Sequence, residues 1–170
     1  PSTRPPTAGG TIGAELSRQI AALDPERLVL LDNGEHALYQ IDLECGERWP
    51  ELPRVAVLGD VRDRERIDQV LRRERPELVF HAAAFKHLPL VESNPNEGVL
   101  TNVLGTARVA EACERHGVGT MVLISTDKAV NPTSVMGASK RVAEMICQGR
   151  NLRGGATRFV TVRFGNVLGS

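Results

Sequence analysis

Thr126, Asp127 and Lys128 put a hydroxyl, a carboxylic acid and an amine in consecutive positions. Such a trio can hold a ligand oxygen by hydrogen bonds and exchange protons with it. The run follows the apolar stretch Thr120 to Ile124, so it falls where a parallel strand would end. Polar side chains at that end of an open α/β sheet face the crevice where ligands bind. The same window, residues 125–140, continues to Met136 and Lys140, four positions apart and therefore on one face of a helix. Of that pair, the thioether cannot relay a proton.

A second set of residues suits a dinucleotide. Gly9, Gly10, Thr11, Ile12 and Gly13 open the first helical pattern. Glycines there let the backbone approach a pyrophosphate, and the helix N-terminus supplies N–H groups and partial positive charge. Asp32 follows Gly13 by 19 residues, at the end of Leu28-Val29-Leu30-Leu31. A carboxylate at that spacing bonds both hydroxyls of an adenosine ribose and repels a 2′-phosphate, so NAD is favoured over NADP. Asp60, in Gly59-Asp60-Val61, either accepts from an adenine amino group or caps the next helix. Ala82, Ala83 and Ala84 after His81 either let a cofactor lie against the backbone or pack helix on sheet tightly.

These residues need a scaffold, and the hydrophobic pattern supplies one. Strand-like runs occur at Leu28–Leu31, Val55–Leu58, Leu78–His81, Met121–Ser125 and Phe159–Arg163. Helical patterns lie between them. Thr11 to Leu23 aligns Ile12, Leu16, Ile20 and Leu23; Arg64 to Arg73 aligns Ile67, Val70 and Leu71 before Pro76. A longer helix is expected from about Pro95 to His116 with Gly117 as its stop, and another from near Thr133 with Val142, Met145 and Ile146 buried. The alternation predicts βαβ units and a Rossmann-like, doubly wound parallel sheet. Trp49 and its surroundings read as a loop with edge packing.

Composition narrows the partners. The chain has 170 residues, enough for one domain with a core, and its 21 basic and 21 acidic residues cancel. No net field favours nucleic acid or an anionic membrane, and basic patches with interleaved aromatics are absent. Cys45, Cys113 and Cys147 are widely spaced without a CxxC pair, so neither a disulfide framework nor a metal site is expected. No apolar stretch reaches the roughly 18 residues of a membrane span. The chain as it stands reads as cytoplasmic.

Six segments together carry a resemblance: Gly9-Gly10-Thr11-Ile12-Gly13-Ala14-Glu15; Gly59-Asp60-Val61-Arg62-Asp63; His81-Ala82-Ala83-Ala84-Phe85-Lys86-His87; Thr101-Asn102-Val103-Leu104-Gly105-Thr106; residues 125–140; and Arg163-Phe164-Gly165-Asn166-Val167-Leu168-Gly169-Ser170. In order and spacing they resemble the extended short-chain dehydrogenase/reductases, in the branch of bacterial nucleotide-sugar 4,6-dehydratases for capsule, O-antigen and flagellin sugars. The resemblance implies a lyase that binds NAD(P) and acts on a UDP-sugar, with UDP-N-acetylglucosamine as the expected substrate. It implies Lys128 as the C5 base, Asp127 as the acid, and Thr126 on the C4 oxygen. That chemistry asks Lys128 to be partly neutral and Asp127 partly protonated, through burial and mutual contact. Lys140 is expected to bond the nicotinamide ribose. Asp60, Val61, Ala82, Ala83, Ala84 and Lys86 would line the cofactor, with Lys86 and Asn166 also reaching substrate. Asn102 would fix the active-site strand by bonding its backbone, and His87 would be structural. Most of the superfamily has tyrosine where Met136 stands; this chain resembles the methionine-containing branch, which moves the C4 proton to Thr126, Asp127 or a water. The alternatives are a nucleotide-sugar epimerase, which Met136 disfavours, and a dinucleotide-binding module without chemistry. Sheet-flanking helices could form a homo-oligomer.

Both ends lead to the expectation of a fragment. Residues 1–7 hold Pro1, Pro5 and Pro6, and such a run cannot form the central first strand. Thr7 holds the place of the first loop glycine, where positive φ would strain a β-carbon. The irregular segment 1–7 is therefore expected to precede a partial NAD(P)-binding domain, 8–170, lacking its first strand and the C-terminal substrate-binding part. Weak or absent turnover by this chain alone is expected, and attachment to the inner membrane would depend on residues outside it.

Overall fold

A computed structural model of the chain describes residues 11–165. Gly9, Gly10, Asn166 and the expected irregular segment 1–7 lie outside them. The chain divides into two compact units between Asp60 and Val61.

In the first unit, α1 (Thr11–Ala22), β1 (Leu28–Asp32), α2 (Glu35–Arg48) and β2 (Arg54–Leu58) alternate. The two strands pair in parallel from Leu28 opposite Arg54 to Asp32 opposite Leu58. The core joins Ala21, Leu28, Leu30, Leu38, Ile41, Cys45 and Leu52. Helix α2 was not anticipated, because Glu35–Arg48 carries many polar residues. It forms because Leu38, Ile41 and Cys45 recur at helical spacing and are all buried. Trp49 closes that helix, with the Arg48 guanidinium 5.1 Å above its ring. The face of α1 differs from expectation: Leu23 is 81% exposed, while Gly13, Ser17 and Ala21 are buried. Small residues let the helix approach closely, and the bulky Ile12, Leu16 and Ile20 flank that contact half-buried.

The second unit carries α3 (Arg64–Glu74), β3 (Leu78–His81), α4 (Leu88–Ser93), α5 (Pro95–Gly98), a π-helical segment (Val99–Gly105), α6 (Thr106–Arg115), β4 (Thr120–Thr126), α7 (Val135–Leu152) and β5 (Arg158–Phe164). Its sheet has the order β3-β4-β5, all parallel. Helix α3 buries Ile67, Val70 and Leu71 as expected. Its cap is Asp63, which accepts from the Arg66 N–H at 3.0 Å, so the capping alternative for Asp60 is overturned. Gly117 ends the long helical stretch with φ of +70°, a conformation that favours glycine.

Helix α7 corrects the expected face. Val142 and Met145 are 42% and 55% exposed and Ile146 is half-buried. Met136, Gly137, Ser139, Lys140, Ala143, Glu144 and Cys147 are buried instead. Apolarity alone pointed to the wrong side, because the small residues allow close packing and the two charged ones find partners inside. The alternating parallel strands and helices place the chain in the Rossmann-like α/β class.

Candidate active site

The carboxyl end of β4 delivers the trio singled out above. Thr126 donates its hydroxyl to Asp127 Oδ1 at 3.0 Å and accepts from the Lys128 N–H at 3.3 Å. Lys128 Nζ lies 3.4 Å from the same carboxylate oxygen. A single turn of 3₁₀ helix, Asp127–Ala129, holds this cluster, with Asp127 and Lys128 exposed and Thr126 half-buried. The Thr126 hydroxyl, aided by the Lys128 ammonium, lowers the Asp127 carboxyl below its ordinary range. The expected upward shift is therefore reversed. Asp127 is held as a carboxylate, ready to accept.

The turn rests on the first turn of α7. Ser134 caps that helix by accepting from the Gly137 N–H at 3.0 Å. A β-carbon at Gly137 would lie 2.5 Å from the Lys128 carbonyl oxygen, so glycine is needed for helix and turn to meet. Sequence reading passed over Gly137, although a glycine inside a helical pattern was the available signal.

Behind the trio lie two buried charges. Lys140 is 5% exposed and donates to the Ile124 carbonyl at 2.6 Å. Burial drives its ammonium down to about 8, against the opposing pull of Glu144. Glu144 has no exposed surface, and burial by itself would raise its carboxyl. Hydrogen bonds reverse that and hold it at about 2. Arg163 reaches it through Nε at 2.9 Å and Nη2 at 2.7 Å, Ser125 Oγ at 2.6 Å, and Arg141 Nη1 at 3.1 Å. Glu144 was missed from sequence; an acid four residues after Lys140 was the only sign of it. Met136 is 3% exposed, and its carbonyl accepts from Ser139 Oγ at 2.7 Å.

Asn102 clamps the segment that follows β3. Its Oδ1 accepts from the Phe85 N–H at 2.8 Å; its Nδ2 donates to the Phe85 carbonyl at 3.1 Å and to Ser139 Oγ at 2.9 Å. The backbone it fixes is thus the 82–87 segment rather than β4, and it ties that segment to α7 one residue before Lys140. Asn102 belongs to the π-helical segment, a departure from α geometry that often marks functional sites. Nearby, His81 Nε2 is 3.0 Å from Thr106 Oγ1, which itself donates to the Asn102 carbonyl at 2.7 Å. The threonine proton is committed there, so Nε2 carries the imidazole hydrogen. Burial, with Lys140 nearby, lowers His81 to about 3 and keeps it neutral.

The other expected positions fall as follows. Ala83 and Ala84 are buried, and Ala82 and Lys86 half-buried. Val61 is buried against Gly105, where a β-carbon would lie 2.8 Å from Val61 Cγ2. Exposed His87 precedes α4 without a side-chain capping bond. In the first unit, Gly13 is buried in the opening turn of α1, and its carbonyl accepts from Ser17 Oγ at 2.8 Å. Asp32 ends β1, 1% exposed, with Oδ1 accepting from the Gly34 N–H at 2.7 Å. Asp60 is half-buried beyond β2. Among the described residues no group of three or more His, Cys, Asp or Glu could hold a metal ion, and no helix is long and apolar enough to cross a membrane.

Comparison with known proteins extends this picture. The polysaccharide biosynthesis protein family matches residues 6–170. The capsular polysaccharide biosynthesis protein CapD of Staphylococcus aureus is 48% identical over 96% of this chain, which spans 27% of that protein. An inverting UDP-N-acetylglucosamine 4,6-dehydratase of Campylobacter jejuni is 43% identical over 66% of the chain and 34% of its own length. A UDP-glucose 4-epimerase of Rickettsia akari is 41% identical over 66% of the chain and 33% of its own length. Among solved structures, Pen from Bacillus thuringiensis superposes with a TM-score of 0.86 at 31% identity, covering 96% of this chain and 49% of that one.

Proposed function

This chain belongs to the polysaccharide biosynthesis protein family, and from that premise we propose that it carries the cofactor-binding and catalytic part of a nucleotide-sugar 4,6-dehydratase acting on UDP-N-acetylglucosamine. The observation that carries the reading is the mutual contact of Thr126, Asp127 and Lys128 at the end of β4. The identity shared with the Campylobacter jejuni dehydratase supports the choice of reaction and sugar.

The residues suit a bound dinucleotide. In the first unit Asp32 ends β1, at the carboxyl end of a parallel strand, and can meet ribose hydroxyls; in the second, taken by itself, the small residues Ala82 to Ala84 follow the carboxyl end of β3. The carboxylate of Asp32 favours NAD over NADP. When bound, the nicotinamide supplies hydride acceptance from C4 and hydride return at C6.

The protein's part is proton handling. Thr126 bonds the C4 oxygen and takes part in its deprotonation, a duty Met136 cannot perform. Oxidation at C4 acidifies the C5 proton, which Lys128 removes after yielding its own ammonium proton to Asp127. Asp127, 3.4 Å from that amine, passes that proton to the C6 hydroxyl, which leaves as water; the C4 proton, released to water by way of Thr126, is matched by a proton taken up at C5 when hydride returns to C6. An Asp127 that begins as a carboxylate suits this relay, since it must accept before it donates. Lys140 supplies positive charge beneath the site and bonds the nicotinamide ribose.

A second reading, a 4-epimerase, has the Rickettsia akari relative in its favour. That reaction needs proton exchange at the C4 hydroxyl alone and gives Lys128 no duty at C5. The test is mass spectrometry of UDP-N-acetylglucosamine incubated with NAD+ and the chain extended to the length of its relatives, beside its Lys128→Ala variant. A product lighter by one water, lost in the variant, is expected; an isomer of unchanged mass would turn the assignment to epimerisation.

A further inference from the structure

Glu144 has no step in the chemistry above, yet it is completely buried on α7 and engages three side chains. Breaking such an arrangement leaves an uncompensated charge, while an apolar residue of similar volume would serve stability as well. Its partners indicate what it does. Ser125 and Arg163 face each other across the β4–β5 pairing, and Ser125 immediately precedes Thr126. One helical turn back on α7, Lys140 bonds the carbonyl of Ile124, the residue before Ser125. Helix and strand ends are thus stitched at consecutive positions, 124 and 125, just before the reactive trio.

We propose that Glu144 is a positioning residue: through Ser125 and Arg163 it fixes the strand end that presents Thr126, Asp127 and Lys128, and its charge keeps the Lys140 ammonium seated on the Ile124 carbonyl. The proposal rests on the dehydratase reading for what the positioned groups do, but the tie itself exists without substrate. Lys140 is faced by Glu144 and Cys147 from its own helix and lies close enough to His81 of β3 to influence it electrostatically. Of these, Glu144 is the group ionised at neutral pH.

Lys86, Lys128 and Lys140 are the only lysines in the sequence, so side-chain signals from a lysine-labelled sample can be assigned with Lys86→Arg and Lys128→Arg variants. The experiment is carbon-13 NMR of the lysine ε-carbons in the 170-residue chain, titrated without ligand. In Glu144→Gln, the Lys140 midpoint should fall by about one pH unit, because a favourable charge is lost, and the Lys128 signal should shift as the strand end loosens. In Arg163→Gln, the carboxylate keeps Ser125 and Arg141 but loses its bidentate cation, and the Lys140 midpoint should rise. Opposite movements in two variants of one cluster are a signature that simple packing would not produce. An unchanged Lys140 midpoint in both, with melting still cooperative, overturns the proposal. Should Glu144→Gln fail to fold, Arg163→Gln decides alone: a rise supports the tie and no movement refutes it. A wild-type chain extended to the length of its relatives that never removes water from the sugar would sink the dehydratase reading and leave these titrations as they stand.

Discussion

Replacing Lys140 by methionine should make the protein more stable at neutral pH while abolishing its turnover. The side chain is 5% exposed, and burial lowers its ammonium from 10.5 to about 8. At about 1.36 kcal/mol per pH unit, that depression corresponds to roughly 3 kcal/mol of stability forgone while the group is charged. Because the folded value lies below the unfolded one, the unfolded chain binds more protons between pH 8 and 10.5. Stability therefore rises with pH across that window, and the full cost is borne below pH 8. Lys140→Met removes the cost but leaves the Ile124 carbonyl without this donor, a loss of about 1 kcal/mol. The net gain is about 2 kcal/mol at pH 7, shrinking towards zero or below by pH 10.5. Urea unfolding of wild type and variant at pH 7, 8, 9 and 10 measures the difference directly. A variant destabilised at pH 7, or a gap that stays constant from pH 7 to 10, would show that Lys140 is not strained by burial. A protein that keeps such a lysine trades stability for a charge at its working site.

Other perturbations follow from the same contacts. Gly137→Ala should push the Lys128 turn away from α7, costing about 1–3 kcal/mol in a denaturant melt and most of the dehydration rate, since its β-carbon would meet the Lys128 carbonyl at 2.5 Å. Asn102→Ala strands the Phe85 N–H and carbonyl together, and a loss of about 2–3 kcal/mol with weakened NAD+ binding by calorimetry is expected. Acid should destabilise the fold early. His81 stays neutral to about 3 while its unfolded form protonates near 6.5, so stability present above pH 6.5 is lost as pH falls, by about 2 kcal/mol at pH 5. Thermal melts of His81→Gln should be flat between pH 6.5 and 5.

Sequence made the strands and the chemistry visible for different reasons. All five described strands match their expected runs within two residues at either end, because buried parallel strands are short, apolar and bounded by turns. The trio at 126–128 was legible because polar residues directly follow such a run. Helix faces were harder. On α1 the buried stripe is made of Gly13, Ser17 and Ala21, and on α7 Gly137, Ala143 and Cys147 share it with Met136, Lys140 and Glu144, while Val142 and Met145 lie in solvent. Close approach to a sheet selects for smallness, and a hydrophobic pattern weighs bulk. Glu144 escaped notice because its significance lies in Arg163, which is 19 residues away in the chain and adjacent only through the β4–β5 pairing. The state of Asp127 was misjudged because the Thr126 hydroxyl beside it stabilises the anion, an effect of rotamer rather than of residue type.

The π-helical segment 99–105 imposes a rule on length. Each helical residue advances the chain around the axis, so deleting one of positions 103–105 would rotate Asn102 relative to Val109, Ala110 and Cys113 of α6. The clamp on Phe85 and the packing of α6 could not then be satisfied together. Val99, Leu100 and Leu104 face outward at 43%, 36% and 39% exposure, so no packing among the described residues fixes their bulk. Drift along this stretch is thus open to substitution at its outward positions and closed to deletion, and a variant library that samples both should recover changes at Val99, Leu100 and Leu104 and no deletions.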